Sequence, residues 1–279
     1  MNTEKKVKEK KGDITPGQGI FLFLVYAFLF LPIVVIVVNS FNATMTKPYL
    51  SWKGFSFYWY GELLQNAALL SSFGNTIFLA VVSTLLSTAI GTLGAIGMYR
   101  YKFRGKKLID ALLYIPVVIP EIVLGISLLT MFAGTGIPRG MGTLILAHVT
   151  FDVPFVIFNV RSRLAGYDIS LEEASMDLGA NRVRTFLEVT FPVLAPGIAG
   201  GALLAFTLSI DDVIISYFVN GTTKTYPLKV MESIKSGVAP DVNALSTLIL
   251  VGTIVLVVLT QSGIFSRKKR RKRKNRYQT

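Results

Sequence analysis

The chain has 279 residues, of which 52% are apolar and only 16% charged, whereas soluble domains carry roughly 25% charged residues. With a mean hydropathy of +0.55, this composition excludes an ordinary water-soluble domain and indicates a membrane protein. Lys and Arg number 29 against 16 Asp and Glu, a net charge of +13 that raises nucleic acid as a partner until the positions of the charges are considered. The absence of cysteine excludes a disulfide framework and thiol chemistry, and the single histidine, His148, excludes a histidine-cluster metal site.

In chain order, a Lys-rich tail over residues 1–15 leads into an uncharged stretch, 14–46, centred on 19–38. A bilayer core takes about 20 apolar residues of helix. The stretch is too long for the apolar part of a signal peptide, and no A-x-A site follows near Asn39 or Ser40, so it reads as an uncleaved first span. Tyr49, Trp52, Phe55, Phe57, Tyr58, Trp59 and Tyr60 follow, as in a segment lying at headgroup level; a ligand cage is the alternative. The second span is expected over 67–98 and the third over 108–133, interrupted by Asp110 and Glu121. The fourth covers 140–160 with Asp152 inside, the fifth 196–219 through Asp211 and Asp212, and the sixth 242–265. Gly91, Gly94 and Gly97, and later Gly197 and Gly201, permit close helix approach. Neither set precedes the Lys-Ser/Thr of a phosphate-binding loop, so the chain has no ATP site of its own.

Six spans put both termini on one side, and 23 of the 29 basic residues fall on that side, in the two tails and the loops after the second and fourth spans. The other side holds Lys47, Lys53, Arg139, Lys224, Lys229 and Lys235. By the positive-inside rule both tails are cytoplasmic. The basic tail over 266–279 is then a topology anchor against anionic lipid rather than an RNA-binding segment. Pro227 and Gly237 frame an outer helix over 227–236, a candidate contact for a soluble partner.

The loop over 161–192 is longer than a connector needs. Ser170-Leu171-Glu172-Glu173 has the spacing of a capping box, with Ser170 as N-cap and Glu173 three residues on. A short helix through Ala174, Met176 and Asp177 is expected to stop at Gly179, and Asn181 to restart helix through Glu188 before Pro192. Glu173-Ala174-Ser175, three residues, Gly179, nine residues and Val189-Thr190-Phe191-Pro192 resemble the EAA loop of ATP-binding-cassette (ABC) importer permeases. Its pattern reads E-A-A, three residues, G, nine residues, I-x-L-P; Ser175, Val189 and Phe191 depart from it conservatively. Residues 99–106, 119–123, 162–164, 206–213 and 238–245 are similar to the second permease subunit of spermidine/putrescine importers.

That resemblance implies an all-α membrane protein of six transmembrane helices with type I ABC importer permease architecture, spanning 16–265. It also implies that Glu172, Glu173, Ala174, Ser175, Asp177, Leu178, Gly179 and Pro192 couple the spans to an ATPase. Small residues allow close docking, and the carboxylates suit a basic partner surface. The partners implied are a second homologous permease subunit, two ATPase subunits holding ATP and Mg²⁺, and an extracytoplasmic polyamine-binding protein in a bacterial cell membrane. The chain itself carries no cofactor and no covalent chemistry.

Independently of the resemblance, four carboxylates lie within spans: Glu121, Asp152, Asp211 and Asp212. Each Asp facing lipid would cost about 2.5–3.5 kcal/mol, so they are expected to face the bundle interior or a wet path. An acid-only path attracts cations, and Tyr217, Phe218 and Phe206 offer ring faces to ammonium groups. Asp152 beside Pro154 and Glu121 beside Pro120 have purely structural alternatives, and His148 is expected to be a packed or hydrogen-bonded residue rather than a proton relay.

Overall fold

The computed structural model of the protein describes residues 15–45, 51–236, 240–255 and 258. Apart from an isolated antiparallel bridge between Asn42 and Phe55, its regular structure is helical. The chain forms two units, Asn66–Ser236 and the segments on either side of it.

In the flanking unit, α1 (Pro16–Ser40) begins where the Thr15 amide donates to Gln18 Oε1 at 3.0 Å. It exposes apolar side chains from Ile20 to Val38 on every face, as a helix immersed in lipid or covered by another subunit does. The aromatic segment packs on itself: Phe41 stacks on Phe55 at 5.0 Å and meets Phe57 edge-on at 5.4 Å. Buried Asn42 accepts from the Lys53 amide and receives the Trp59 indole on its carbonyl. A short helix, α2 (Tyr58–Gln65), closes this segment. The sixth expected span is present as the apolar helix Pro240–Val255, here α12; its expected continuation to 265, like Gly237 and the charged tails, lies outside the described residues.

Three long helices make the centre of the other unit: α3 (Ala67–Arg100), α6 (Met141–Leu164) and α9 (Phe191–Asp211). Their meeting point is Val156 of α6, held between two glycines. A Cβ on Gly91 would sit 2.7 Å from Val156 Cβ, and one on Gly201 would sit 3.1 Å from its Cα. Small residues at a crossing let backbones approach and recover dispersion contacts where lipid supplies no hydrophobic drive. Gly97, expected to share this role, has open space within 4 Å of its Cβ position. Leu79, Leu144, Ala147, Ile215 and Val219 form the core toward one end, and Ala95, Val160, Leu164, Leu194 and Ala205 toward the other.

Two spans differ from their expected form. The third is two helices, α4 (Lys106–Val118) and α5 (Glu121–Gly134), bent by 111°. Pro120 lacks an amide donor and drives Ile119 to an extended ψ of 137°. The fifth begins earlier and ends sooner than expected. After α7 (Ser170–Asp177), helix runs unbroken from α8 (Arg182–Thr185) through a widened π-turn, Phe186–Thr190, into α9. Pro192 and Pro196 therefore lie inside helix instead of ending it. The π-turn bonds the Phe191 amide to the Phe186 carbonyl, shifting the bonding pattern just before the residue that has no donor. α9 stops at Asp211, and α10 (Ile214–Val219) follows a break at Asp212 and Val213. On the outer side, α11 (Tyr226–Ser236) starts one residue before Pro227 and is anchored by the Tyr226 amide on Thr76 Oγ1 at 2.8 Å.

Candidate functional site

The break between α9 and α10 is held by one side chain. Asp212, extended at ψ 125°, accepts the Ile215 amide on Oδ1 at 3.2 Å and the Ser216 amide on Oδ2 at 2.8 Å. A carboxylate satisfies amide donors that a helix start leaves unpaired. Behind it lies a buried polar chain. His148 Nε2 is 3.4 Å from Asp212 Oδ2 and 3.1 Å from Ser216 Oγ, while Nδ1 is 3.0 Å from Ser209 Oγ. Ser209 donates to Asp152 Oδ2 at 2.8 Å and lies 2.9 Å from Ser83 Oγ. A hydroxyl has one proton to give, so with Ser209 donating to Asp152, Nδ1 of His148 is the donor toward Ser209. The chain joins α3, α6, α9 and α10.

The expected path residues divide into three groups. Glu121, Asp211 and Asp212 converge on one cavity of about 270 Å³, lined also by Leu208, Val213 and Ile214. It lies where both broken spans are interrupted, since Glu121 opens α5 and Asp212 separates α9 from α10. The two short helices are locked together there: a Cβ on Gly125 would fall 2.6 Å from Phe218 Cδ2. Among the described residues, no basic side chain lines this cavity. Asp152 is fully buried away from it, and its Oδ1 meets no donor among the described residues. Tyr217 is 58% exposed and lines a different cavity, about 330 Å³, with Arg139, Lys224 and Glu232. The adjacent acids thus have opposite environments, Asp211 exposed and Asp212 with a side chain only 6% exposed. α9 is 21 residues long, which puts Asp211 about 30 Å along it at 1.5 Å per residue.

Ser83, Ser209 and Ser216 were not marked by the sequence. Ser209 lies in the quoted segment 206–213, three residues before Asp212, and that spacing is its only signal.

In the loop, Ser170 does not cap α7. The Ser170 amide instead donates to Asp168 Oδ1 at 3.0 Å, and Ile169 takes the N-cap position. Asp168 makes the contact because an Asp carboxylate reaches the backbone amide two residues on in an Asx-turn. That hydrogen bond holds the Asp168 carboxyl below the usual range. Gly179 at φ +88° ends the helix in the left-handed conformation. Asn181 accepts the Arg184 amide at 2.8 Å and starts α8, and Ser175 Oγ lies 3.2 Å from Thr185 Oγ1, pinning α7 to α8.

Glu172, expected to meet a basic partner, faces its own chain. Arg100 at the end of α3 holds both carboxylate oxygens, at 2.6 and 2.8 Å. Tyr167 and Thr190 donate to Oε1 at 2.8 and 2.6 Å, so four elements share one side chain. Burial pushes its carboxyl up, but the Thr190 and Tyr167 hydrogen bonds and the Arg100 charge outweigh that and leave it below the usual range. The same surroundings, burial first, push the Tyr167 hydroxyl up. Glu173, Ala174, Met176 and Asp177 remain exposed, with Leu178 at 90% and Pro192 also open.

Residues 87–271 match the family described as binding-protein-dependent transport system inner membrane component. The chain is 43% identical, over 88% of its length and 95% of the relative, to the spermidine/putrescine transport system permease protein PotC of Haemophilus influenzae. It is 40% identical, over 85% of its length and 86% of the relative, to the putrescine transport system permease protein PotI of Escherichia coli K12. Among solved structures, a chain of a bacterial ABC transporter that imports the acidic polysaccharide alginate superposes with a TM-score of 0.69 at 18% identity. The match covers 88% of this chain and 94% of that one.

Proposed function

Because the chain belongs to the binding-protein-dependent transport system inner membrane component family, we propose that it is the permease subunit of an ATP-driven importer for the polyamines spermidine and putrescine. It is a non-catalytic transport subunit. The observation that carries the substrate class is the cavity of Glu121, Asp211 and Asp212, which among the described residues gathers three acids and no base at two helix breaks. Irregular backbone is tolerated at membrane depth only where it is buried in protein or lines a water-filled cavity. Carboxylates on such a cavity favour a cation, and ammonium groups spaced by methylenes suit acids set among apolar Leu208, Val213 and Ile214. The names of the relatives support the same substrate.

The chain works with a second homologous permease subunit, two ATPases and an extracytoplasmic binding protein, and both of its termini are cytoplasmic. The binding protein delivers the cation to the outer mouth, where α11 is a contact. ATP and Mg²⁺ act in the ATPases, whose closure carries the exposed face of α7 with it and opens the spans outward; hydrolysis resets them and releases the cation inside. The proteins are reconstituted in liposomes, and ATP-dependent uptake of labelled putrescine and spermidine is measured with lysine and choline as competitors. Asp211→Asn and Glu121→Gln are expected to lower polyamine uptake tenfold or more with assembly intact. Full uptake in both, or preferential uptake of a competitor, defeats the reading.

A further inference from the structure

An interaction that carries motion between a docking helix and the spans has to join them by more than the chain itself. The link after α7 is Gly179 at φ +88° and the extended residue Asn181, a turn rather than a continuous helix. Before α7, Ala165 to Ile169 are not helical. Besides the Ser175–Thr185 contact to α8, α7 is tied to elements distant in sequence through Glu172, which among the described residues makes its side-chain bond to α3. The carboxylate is 12% exposed, takes the Nη2 of Arg100 of α3 on both of its oxygens, and accepts from Thr190 at the end of the π-turn that leads into α9. A charge-assisted hydrogen bond of this kind is shorter and about twice as strong as a neutral one, and partial burial reduces its screening by salt. Tyr99, beside Arg100, donates to the Tyr167 carbonyl at 3.3 Å, so the neighbouring residue reinforces the same joint.

We infer that the Arg100–Glu172 pair is the transmission link of this permease: a positioning contact that makes α7 move as one body with the end of α3. The inference rests on the coupling role proposed above, and divides the loop's acids between two tasks. Glu173 and Asp177 face outward for the partner, whereas Glu172 faces inward and converts displacement of α7 into displacement of the span. The link leaves the docking face of α7 untouched.

The chain has no cysteine, so paired cysteines test this directly. The complete importer, with cysteine-free partners, carries Arg100→Cys and Glu172→Cys together, and polyamine imported per ATP hydrolysed is measured. The reduced double variant is expected to assemble and hydrolyse ATP while import per ATP falls about tenfold. A short bifunctional methanethiosulfonate that bridges the two thiols restores import to within twofold of wild type, and reductant abolishes it again. Arg100→Lys, which keeps the charge but not the planar guanidinium, is expected to fall between. Each single cysteine variant treated with the same reagent does not recover. Wild-type coupling in the reduced variant, a confirmed cross-link without recovery, or loss of ATPase assembly each overturns the inference. Absence of uptake in the wild-type importer would count against the substrate reading, whereas these variants are scored against active wild type.

Discussion

His148 Nε2 lies 3.4 Å from Asp212 Oδ2 in a region where both side chains are almost wholly buried, 3% and 6% exposed. The contact joins α6 to the break between α9 and α10, and through Ser209 it reaches Asp152 and Ser83. Asp212 is therefore held by its own chain on one side while it borders the acidic cavity on the other. Asp211, exposed, has no comparable structural duty. Asp212→Asn is expected to destabilise the detergent-solubilised subunit by about 1–3 kcal/mol, the cost of weakening a buried charged hydrogen-bond acceptor, whereas Asp211→Asn leaves stability within about 0.5 kcal/mol. Thermal unfolding of the two variants checks the contrast, and equal losses would refute it.

His148→Phe removes both ring nitrogens and leaves Ser209, Ser216 and Asp212 short of a partner. A loss of about 2–4 kcal/mol is expected from stranding several buried polar groups. His148→Gln, able to reach part of the network, is expected to lose less. Surface yield and unfolding temperature of the two variants measure the difference.

Val156 permits no bulk opposite it. Gly91→Leu and Gly201→Leu are expected to overpack the crossing of α3, α6 and α9, at about 1–3 kcal/mol or more. Gly97→Ala meets open space and is expected to be neutral or slightly stabilising, because alanine favours helix over glycine by about 0.8–1 kcal/mol. Expression and unfolding of the three variants are the measurement; a Gly97→Ala loss equal to the others would contradict the packing.

Gly179 ends α7 at φ +88°. Gly179→Ala is expected to cost about 1 kcal/mol and Gly179→Val more, since a β-branched residue adopts that conformation poorly. With space around the position, the penalty is in the backbone alone. Binding of the ATPase, measured by co-purification, is expected to fall in the order Gly, Ala, Val.

The Glu172 carboxyl lies below the usual range because hydrogen bonds and the Arg100 charge outweigh its burial. A lowered folded-state pKa means that its contribution to stability is complete above the ordinary glutamate value of about 4.3 and is lost as pH falls through the folded-state value. The stability gap between wild type and Glu172→Gln is expected to be flat near neutral pH and to shrink only below about pH 4.3. Thermal unfolding across pH 3–8 tests this, and a gap that closes between pH 6 and 8 would exclude Glu172 as its source.

Composition and the spacing of uncharged stretches were enough to establish a helical membrane protein, because a bilayer demands long apolar helices and penalises lipid-facing charge. The spacing of Glu173, Gly179 and Pro192 marked the loop, and the depth of Glu121, Asp152, Asp211 and Asp212 marked the acids. What sequence could not assign was partners across helices. Asp211 and Asp212 are neighbours in the chain, yet a helix break turns one toward solvent and the other into a cap for α10. Glu172 and Glu173 are neighbours too, and the positions of Arg100, 72 residues away, and of Tyr167 and Thr190 determine which faces inward. Ser170 lost its expected cap to Asp168, and Pro120 broke a span that hydropathy drew as continuous. Local pattern determines which segments become helices and where charge is tolerated; the direction each side chain finally takes depends on which helix packs beside it, and that is a property of the tertiary structure alone.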